Sequence, residues 1–178
     1  MHRLFVAIRP PEAIRARLRA TMGGVSGARW QSDEQIHLTL RFIGEVDSPV
    51  AEDIAISLDQ IRFPAFSLRI GRTGRFDRRN GGAIWASVEP RQQVAELAAK
   101  IDRACVLAGL EPERRAFHPH ITLARYGRSS GEAAASFERR NAAMSSGPFE
   151  VDRFILFESH LSRHGAHYEE VAQYALEP

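Results

Sequence analysis

The chain has 178 residues, with 24 Lys plus Arg against 22 Asp plus Glu, so its formal net charge at pH 7 is only +2. That near balance argues against a histone-like protein or a nucleic-acid binder driven by a charged tail. Lys100 is the only lysine, so the other 23 basic residues are arginines. The planar fork of arginine suits phosphate, but on count alone genomic base composition is the preferred explanation. With 44% hydrophobic and 26% charged residues, the composition predicts one globular domain over residues 1–178.

No apolar stretch approaches the roughly 20 residues of a membrane helix, and the amino terminus lacks the apolar core of a secretory signal. We therefore expect a cytoplasmic protein with no membrane association. We also expect it to be a monomer. Cys105 is the only cysteine, which excludes an internal disulfide and a cysteine-based zinc site. Because it continues an apolar series at helical spacing, Cys105 is predicted to be a buried structural thiol.

The first half of the chain predicts strand, helix, strand, helix and strand. In chain order these are a strand at Leu4–Ile8, a helix around Ile14 and Leu18, a strand at His37–Leu40, a helix from Ser48 and a strand at Phe66–Ile70. Ser48 and Pro49 suit the N-cap and the first position of their helix.

The second half predicts the same order of elements. They are a strand at Ala83–Val88, a helix at Gln92–Ala108, a strand at His120–Leu123, a helix at Ala133–Arg140 and a strand at Phe149–Phe157. Gly109 suits the position after the end of the first of these helices, and Ser129 with Glu132 forms a capping-box pattern before the second. A final strand at His167–Leu176 is expected to complete one sheet.

The two halves, about residues 3–71 and 83–176, thus look like a duplication. His37-Leu-Thr-Leu is echoed by His120-Ile-Thr-Leu, and Phe66 and Phe149 each follow their histidine by 29 residues. Chance rarely preserves such an offset together with the order of elements. The sequence predicts a two-lobed α+β fold with a pseudo-two-fold axis, in which antiparallel sheets line a central cleft and the helices lie outside.

Side chains alternate across a strand, so His37 and Thr39 project from one face, as do His120 and Thr122 in the second copy. A two-fold axis would bring both pairs into one cleft. Two histidines suit a general acid–base reaction, since one can remove a proton from the attacking group while the other protonates the leaving group. The threonine hydroxyls can donate to the oxygens of a phosphate as charge develops on them.

A metal site is the alternative interpretation of the histidines around His120. His118 precedes it by two residues and can share its face, but no carboxylate or cysteine cluster accompanies the pair in the sequence. Neither a metal nor another cofactor is therefore expected. The remaining candidates, His160, His164 and His167, are predicted to be surface or rim residues.

The two His-x-Thr motifs and their flanks resemble the 2H phosphoesterase superfamily, and most closely the bacterial RNA 2′,3′-cyclic phosphodiesterases, also called the 2′-5′ RNA ligase family. The resemblance runs from about residue 3 to residue 175. Its flanking segments are Leu4-Phe-Val-Ala-Ile8, Arg41-Phe-Ile-Gly44, Phe117-His-Pro-His120 and Leu123-Ala-Arg125.

The resemblance implies a metal-independent enzyme that opens a 2′,3′-cyclic phosphate, on an RNA end or a nucleotide, to a 2′-phosphomonoester. In reverse, with an RNA 5′-hydroxyl in place of water, the same residues would make a 2′-5′ linkage. The resemblance leaves open whether His37 or His120 is the base. It also places an arginine, here Arg125, beside the nucleotide, where a guanidinium can pair with phosphate or stack on a base.

Three further residues are candidates for contact with the substrate. After the first motif, strict alternation puts Arg41 on the face of His37 and Phe42 on the opposite one, so core packing is preferred for Phe42. Base stacking by Phe42 requires the strand to bend. Arg72 and Arg75 begin a glycine-rich stretch, residues 72–82, predicted as a mobile loop that either reaches RNA phosphates or is simply solvated.

Two other functions remain open from the sequence. One is a binding module that recognises a nucleotide or RNA without turnover. The other is a 2H phosphoesterase acting on a different cyclic or 2′-5′ phosphodiester, because the four motif residues handle the phosphate and not the rest of the ligand.

Overall fold

The computed structural model describes the whole chain, residues 1–178, as nine strands and four α-helices. The first half contains β1 (His2–Ile8), α1 (Glu12–Thr21), β2 (Arg29–Trp30), β3 (Leu38–Val46), α2 (Ser48–Asp59) and β4 (Phe66–Arg78). The second half contains β5 (Gly81–Glu89), α3 (Arg91–Leu107), β6 (His120–Gly127), α4 (Gly131–Arg140), β7 (Phe149–Val151), β8 (Arg153–Ser162) and β9 (Gly165–Ala175). Single 3₁₀ turns occur at Asp33–Gln35 and Arg128–Ser130.

The strands are hydrogen-bonded in the order β7-β4-β5-β6-β3-β1-β8-β9, with β2 added beside β6. This order is symmetric about its centre. The two motif strands β6 and β3 are neighbours, β5 and β1 flank them, and β4 and β8 each cross over to pair with the other half. The predicted α+β fold with a pseudo-two-fold axis between the motif strands is therefore confirmed.

The helices cover one face of the sheet. Ile14 and Leu18 of α1 and Ile54 and Leu58 of α2 are buried in a single cluster of 37 hydrophobic residues drawn from both halves. A small second cluster, formed by Phe5, Ala7, Ile155 and Phe157, lies apart from it. Since neighbours along a strand point to opposite faces, this second cluster marks the helix-free face that lines the cleft.

Two predicted helix starts are wrong in detail. The N-cap of α2 is Asp47, whose carboxylate accepts from Val50 N at 3.0 Å, because the helix begins one residue earlier than Pro49 suggested. The capping box of Ser129 and Glu132 does not form, because a 3₁₀ turn leads into α4 at that place. At the end of α3, Gly109 has the positive φ expected after a helix terminus.

Two predicted segments differ from the structure in their secondary structure. The expected strand at Phe149–Phe157 breaks at Asp152, because its first part pairs with β4 and its second with β1. The expected mobile loop at residues 72–82 is instead a paired hairpin of β4 and β5, with Arg78 opposite Gly81. The glycines there allow close strand packing and do not loosen the backbone.

Cys105 is fully buried, and burial raises the pKa of its thiol to about 11. His160, His164 and His167 are exposed, on the β8 and β9 hairpin. None of the four helices has the length and apolar character needed to cross a lipid bilayer.

Candidate active site

The two motif strands meet at a single residue pair. Leu38 of β3 is opposite Ile121 of β6, and no other residues of these two strands are paired. In this antiparallel register, His37 lies beside Thr122 and Thr39 lies beside His120. Each motif histidine is therefore next to the threonine of the other motif. Since Leu38 and Ile121 are buried under the helices, the four motif side chains project from the opposite face, into the cleft.

The same backbone hydrogen bond holds each motif histidine. Nδ1 of His37 donates to Gln35 O at 2.7 Å, and Nδ1 of His120 donates to His118 O at 2.6 Å. Because a carbonyl oxygen only accepts, these bonds assign the proton of the neutral imidazole to Nδ1 and the lone pair to Nε2. In His37 that lone pair accepts from Thr39 Oγ1 at 2.9 Å. Both histidines thus have an Nε2 that can take up or return a proton.

Aromatic rings enclose His37. The Phe5 ring lies 4.9 Å from the imidazole centroid, and Tyr168 of β9 meets it edge-on at 5.4 Å. Burial, with smaller effects from the charges of His120 and Arg125, lowers the pKa of His37 to about 4. His37 is therefore neutral at pH 7 in the free protein, the state in which it can accept a proton.

His120 lies in a different, more open setting. Phe76 meets its imidazole edge-on at 5.0 Å, and Trp85 lies 6.2 Å away. The Trp85 ring lies so close over Gly74 that a Cβ at this glycine would overlap it. Burial also lowers the pKa of His120, but its Nε2 makes no hydrogen bond within the protein and is free for a ligand.

A β-bulge follows the threonine in each motif strand. In β3, Thr39 pairs with Ala7 and Arg41 pairs with Val6, which leaves Leu40 as the extra residue. A bulge of this kind shifts the alternation by one position from there onward. The residue five positions after the histidine therefore faces the cleft, and the one four positions after it faces the helices.

The second motif strand repeats the bulge. Thr122 pairs with Trp85 and Ala124 pairs with Ile84, so Leu123 is the extra residue. Phe42 in β3 and Arg125 in β6 consequently occupy equivalent positions in the two halves.

The bulge overturns the preferred interpretation of Phe42. Its ring is 44% exposed, beside Phe5 on the cleft face, and is not part of the core. Arg41 points to the other face, where it is buried and ion-paired with Asp102 at 3.0 Å and with Glu113 at 3.3 Å.

The hairpin arginines are divided between the two faces of β4. Arg75 lies on the helix face, where its guanidinium is ion-paired with Glu138 of α4 at 2.5 Å and with Asp77 at 2.8 Å. Arg72 is exposed and lines neither groove described below. Arg78 is the hairpin arginine on the cleft side.

Two grooves meet at His120. The first, here the β3 groove, has a volume of about 350 Å³ between β3 and α3. It reaches from His120 and Phe42 on the cleft face to the ion-paired Arg41, Asp102 and Glu113 on the helix face. The second, the β5 groove, has a volume of about 460 Å³. Its lining is Phe76, Arg78, Asn80, Gly81, Gly82, Ala83, Arg115, His120, Thr122, Arg125 and Tyr126. The cleft thus offers a partly apolar compartment and an arginine-rich one on either side of a motif histidine.

The aromatic rings around the histidines were not anticipated. Tyr168 comes from β9, far along the chain from His37, and only the sheet order brings the two together. For Phe76 a signal existed, because it alternates with Gly74 on β4, but the expectation of a loop concealed that alternation.

His118 and His120 are the pair for which a metal site is the alternative interpretation. No group of three or more His, Cys, Asp or Glu side chains in the chain is arranged to hold a metal ion. His118 packs against Phe76 at 5.3 Å and Trp85 at 5.1 Å, and its carbonyl anchors His120.

Several known proteins are similar to this chain. An RNA 2′,3′-cyclic phosphodiesterase from Aeropyrum pernix is 35% identical over 140 residues, which cover 77% of this chain and 80% of the relative. One from Escherichia coli is 29% identical over 178 residues, covering 98% and 96% of the two chains. The crystal structure of E. coli LigT complexed with 3′-AMP superposes with a TM-score of 0.81 at 27% identity, covering 98% of each chain.

The family model of the 2′-5′ RNA ligase superfamily matches residues 10–163, a span that contains both His-x-Thr strands, both bulges and the hairpin between the halves. This chain belongs to the 2′-5′ RNA ligase superfamily.

Proposed function

We propose that this protein is an RNA 2′,3′-cyclic phosphodiesterase, which opens a terminal 2′,3′-cyclic phosphate to a 2′-phosphomonoester without a metal ion. Its substrates are RNA ends or nucleotides that carry the cyclic phosphate. The curated relatives from A. pernix and E. coli have this activity in their names, and they match most of the chain.

One observation carries the proposal. The pairing of Leu38 with Ile121 puts two histidines and two threonines on one face, and both histidines have Nδ1 bonded to a carbonyl. This arrangement fixes two Nε2 atoms toward one cleft. A displacement at phosphorus needs such a pair, one to accept a proton and one to donate it.

The chemical step balances with these groups alone. One histidine Nε2 removes a proton from water as the water oxygen bonds to phosphorus. The bond from phosphorus to O3′ breaks, and the second histidine, protonated at Nε2, donates its proton to O3′. Thr39 and Thr122 donate to the non-bridging oxygens, whose charge grows in the transition state. Thr39 exchanges its bond to His37 for one to phosphate when substrate binds.

The two equivalent positions after the bulges supply the remaining contacts. The exposed guanidinium of Arg125 lies on the cleft face, five residues after His120, and binds the phosphate. The exposed ring of Phe42 stacks on the terminal base in the β3 groove. The ribose then lies at His120, where the two grooves meet.

One copy of the chain contains all of these groups. Because each half contributes one histidine, one threonine and one of Phe42 and Arg125, the two halves form a single catalytic domain, residues 1–178. A second copy is not needed, and we propose a monomer. The single buried Cys105 suits a reducing, cytoplasmic location.

The test is product identification. Purified protein is incubated with a 2′,3′-cyclic nucleotide and with a short RNA that ends in the cyclic phosphate, both in the presence of EDTA, and the product is separated from 2′- and 3′-phosphate standards. We expect the 2′-phosphate from both substrates. His120→Ala should remove most of its formation, whereas His160→Ala, a matched change at an exposed histidine on β8, should not.

Three results would contradict the proposal. A 3′-phosphate product would mean that the other bond breaks. Loss of activity in EDTA would mean a metal-dependent reaction. Tight nucleotide binding without turnover would make the protein a binding module.

A further inference from the structure

Arg41 is the only buried Asp, Glu, Lys or Arg residue of the chain, with 9% of its surface exposed. Burying a guanidinium costs free energy unless its N–H groups find partners. Nη1 donates to Glu113 Oε2 at 3.3 Å and Nη2 donates to Glu111 O at 2.6 Å, and both partners lie in residues 110–119, between α3 and β6. Asp102 of α3 lies 3.0 Å from Nε and pairs with it by charge, although this N–H is not aimed at the carboxylate.

Residues 110–119, here the 110–119 segment, have few other polar contacts with the body of the protein. None of residues 111–119 belongs to a helix or strand, and none takes part in a hydrogen bond between two backbone groups. The hydrogen bonds that tie the segment to earlier elements are those from Arg41 and one from Glu113 N to Asp102 Oδ1 at 3.1 Å. Apolar packing of its aromatic side chains adds to these bonds. Arg41 is therefore the main polar restraint on this segment.

The 110–119 segment contains the carbonyl that anchors His120. Nδ1 of His120 donates to His118 O at 2.6 Å, and this bond leaves Nε2 as the atom that can exchange a proton. The corresponding carbonyl for His37, Gln35 O, lies in a 3₁₀ turn in which Gln35 N donates to Ser32 O at 3.0 Å. The anchor of His37 is thus fixed by its own turn, whereas the anchor of His120 depends on a side chain from the other half.

We propose that Arg41 is a positioning residue for His120. By holding the 110–119 segment, it keeps His118 O in place, and His118 O in turn keeps the proton of the neutral imidazole on Nδ1. The inference rests on the proposed phosphodiesterase function, in which Nε2 of His120 takes up or returns a proton. Because Arg41 directly follows the first motif on β3, the strand of one motif fixes the histidine of the other.

The first readout is the nitrogen that carries the proton on each motif histidine. Long-range ¹⁵N NMR distinguishes the protonated from the unprotonated ring nitrogen, and it needs no substrate. At about pH 8, where both imidazoles are neutral, His37 and His120 of the wild type should both have the proton on Nδ1. In Arg41→Gln, His120 should become a mixture of two tautomers, whereas His37 should stay as in the wild type.

Arg75→Gln is the matched control. It removes the guanidinium of another arginine that is ion-paired on the helix face, with Asp77 and Glu138 as its partners. Neither partner belongs to the 110–119 segment. Both histidines should therefore keep the wild-type tautomer in this variant, and a change at His120 would mean that the loss of any such ion pair disturbs the site.

Arg41→Lys separates positioning from stability. Lysine keeps a charge beside the carboxylates but lacks the fork that reaches Glu111 O and Glu113 together. This variant should recover most of the stability that Arg41→Gln loses, as measured by urea unfolding, while its His120 remains a mixture of tautomers. Should Arg41→Gln fail to fold, the NMR comparison with Arg41→Lys decides the role of Arg41.

Kinetics on a 2′,3′-cyclic nucleotide provide the second readout. Arg41→Gln should lower kcat by about 10- to 100-fold, the range for a reacting group displaced by about 1 Å. Its KM should stay close to that of the wild type, because Arg41 lies on the helix face and contacts no substrate. Arg75→Gln should change neither constant.

The outcomes separate this inference from the proposed function. A single Nδ1–H tautomer of His120 in the Arg41 variants, or equal changes at His37 and His120, would overturn the positioning role. A fall in kcat no larger than that of Arg75→Gln would overturn it as well. A wild type that hydrolyses no cyclic phosphate would overturn the proposed function, whereas the NMR comparison would still decide whether Arg41 holds His120.

Discussion

The two halves of the molecule hold their motif histidines in the same way but surround them differently. His37 is enclosed by Phe5 and Tyr168, and its Nε2 already accepts from Thr39. His120 lies where two grooves meet, and its Nε2 is unoccupied. The duplication has thus kept the hydrogen bond from each histidine Nδ1 to a backbone carbonyl. The residues that set the pKa of each histidine lie outside the repeated motif.

The positions after the bulges show the same division. Phe42 and Arg125 are equivalent by register, yet one presents an apolar ring and the other a cation to the cleft. A symmetric frame therefore presents two chemically different groups to the cleft. The proposed nucleotide substrate has an apolar face on its base and a charged phosphate, and the two halves offer one group for each.

The largest effect should come from removing either histidine. His37→Ala and His120→Ala should each lower kcat/KM by a factor of about 10² to 10⁴, since each removes one partner of a proton transfer. Because the two act in the same step, the double variant should be little worse than the worse single variant. Steady-state kinetics on a 2′,3′-cyclic nucleotide would measure all three. If the loss in kcat/KM of the double variant equals the product of the two single losses, the histidines act in separate steps.

The pH dependence of stability should distinguish the two histidines. The pKa of His37 is about 4 in the folded protein and about 6.5 when unfolded, so the unfolded chain binds more protons between these values. The contribution of the neutral imidazole to the free energy of unfolding is fully present above pH 6.5, and it is lost as the pH falls toward 4. The loss should reach about 3 kcal/mol, measured by urea unfolding from pH 4 to 7.

Substitution isolates this contribution. His37→Gln should remove more of the pH dependence than His120→Gln does, because the imidazole of His37 is the more enclosed of the two. Equal slopes in the two variants would show that the aromatic enclosure by Phe5 and Tyr168 has no such effect in solution.

An intermediate effect is expected from the ring of Phe42. Phe42→Ala should raise KM about tenfold with little change in kcat, because stacking on a base contributes equally to ground state and transition state. Phe42→Trp should preserve binding. A loss in kcat at unchanged KM would instead assign Phe42 to positioning the phosphate, the task proposed for Arg125.

The sequence predicted the order of the elements and the face that His37, Thr39, His120 and Thr122 share, because both follow from short-range patterns. Alternation from His37 to Thr39 holds, since it lies before the bulge. It fails for Arg41 and Phe42, because the bulge at Leu40 depends on how β1 pairs with β3, which local sequence does not encode.

The arginines of the hairpin illustrate a second limit. Composition singled out Arg72 and Arg75, yet which arginine is free depends on a partner distant in sequence, Glu138 on α4. The pairing of Arg29 in β2 with Arg125 in β6 was equally out of reach, because β2 is only two residues long and shows no strand pattern of its own.

The smallest effect should come from Arg75, and it tests the division of the hairpin into two faces. Its guanidinium is largely buried between Glu138 and Asp77, so Arg75→Gln should lower the free energy of unfolding by about 1 kcal/mol. Glu138→Gln should lower it by a similar amount, and the double variant should lose less than both losses combined, because the two residues share one interaction. The salt dependence of RNA hydrolysis should stay as in the wild type. A changed salt slope at unchanged stability would place Arg75 on the cleft face and reverse the assignment of the hairpin.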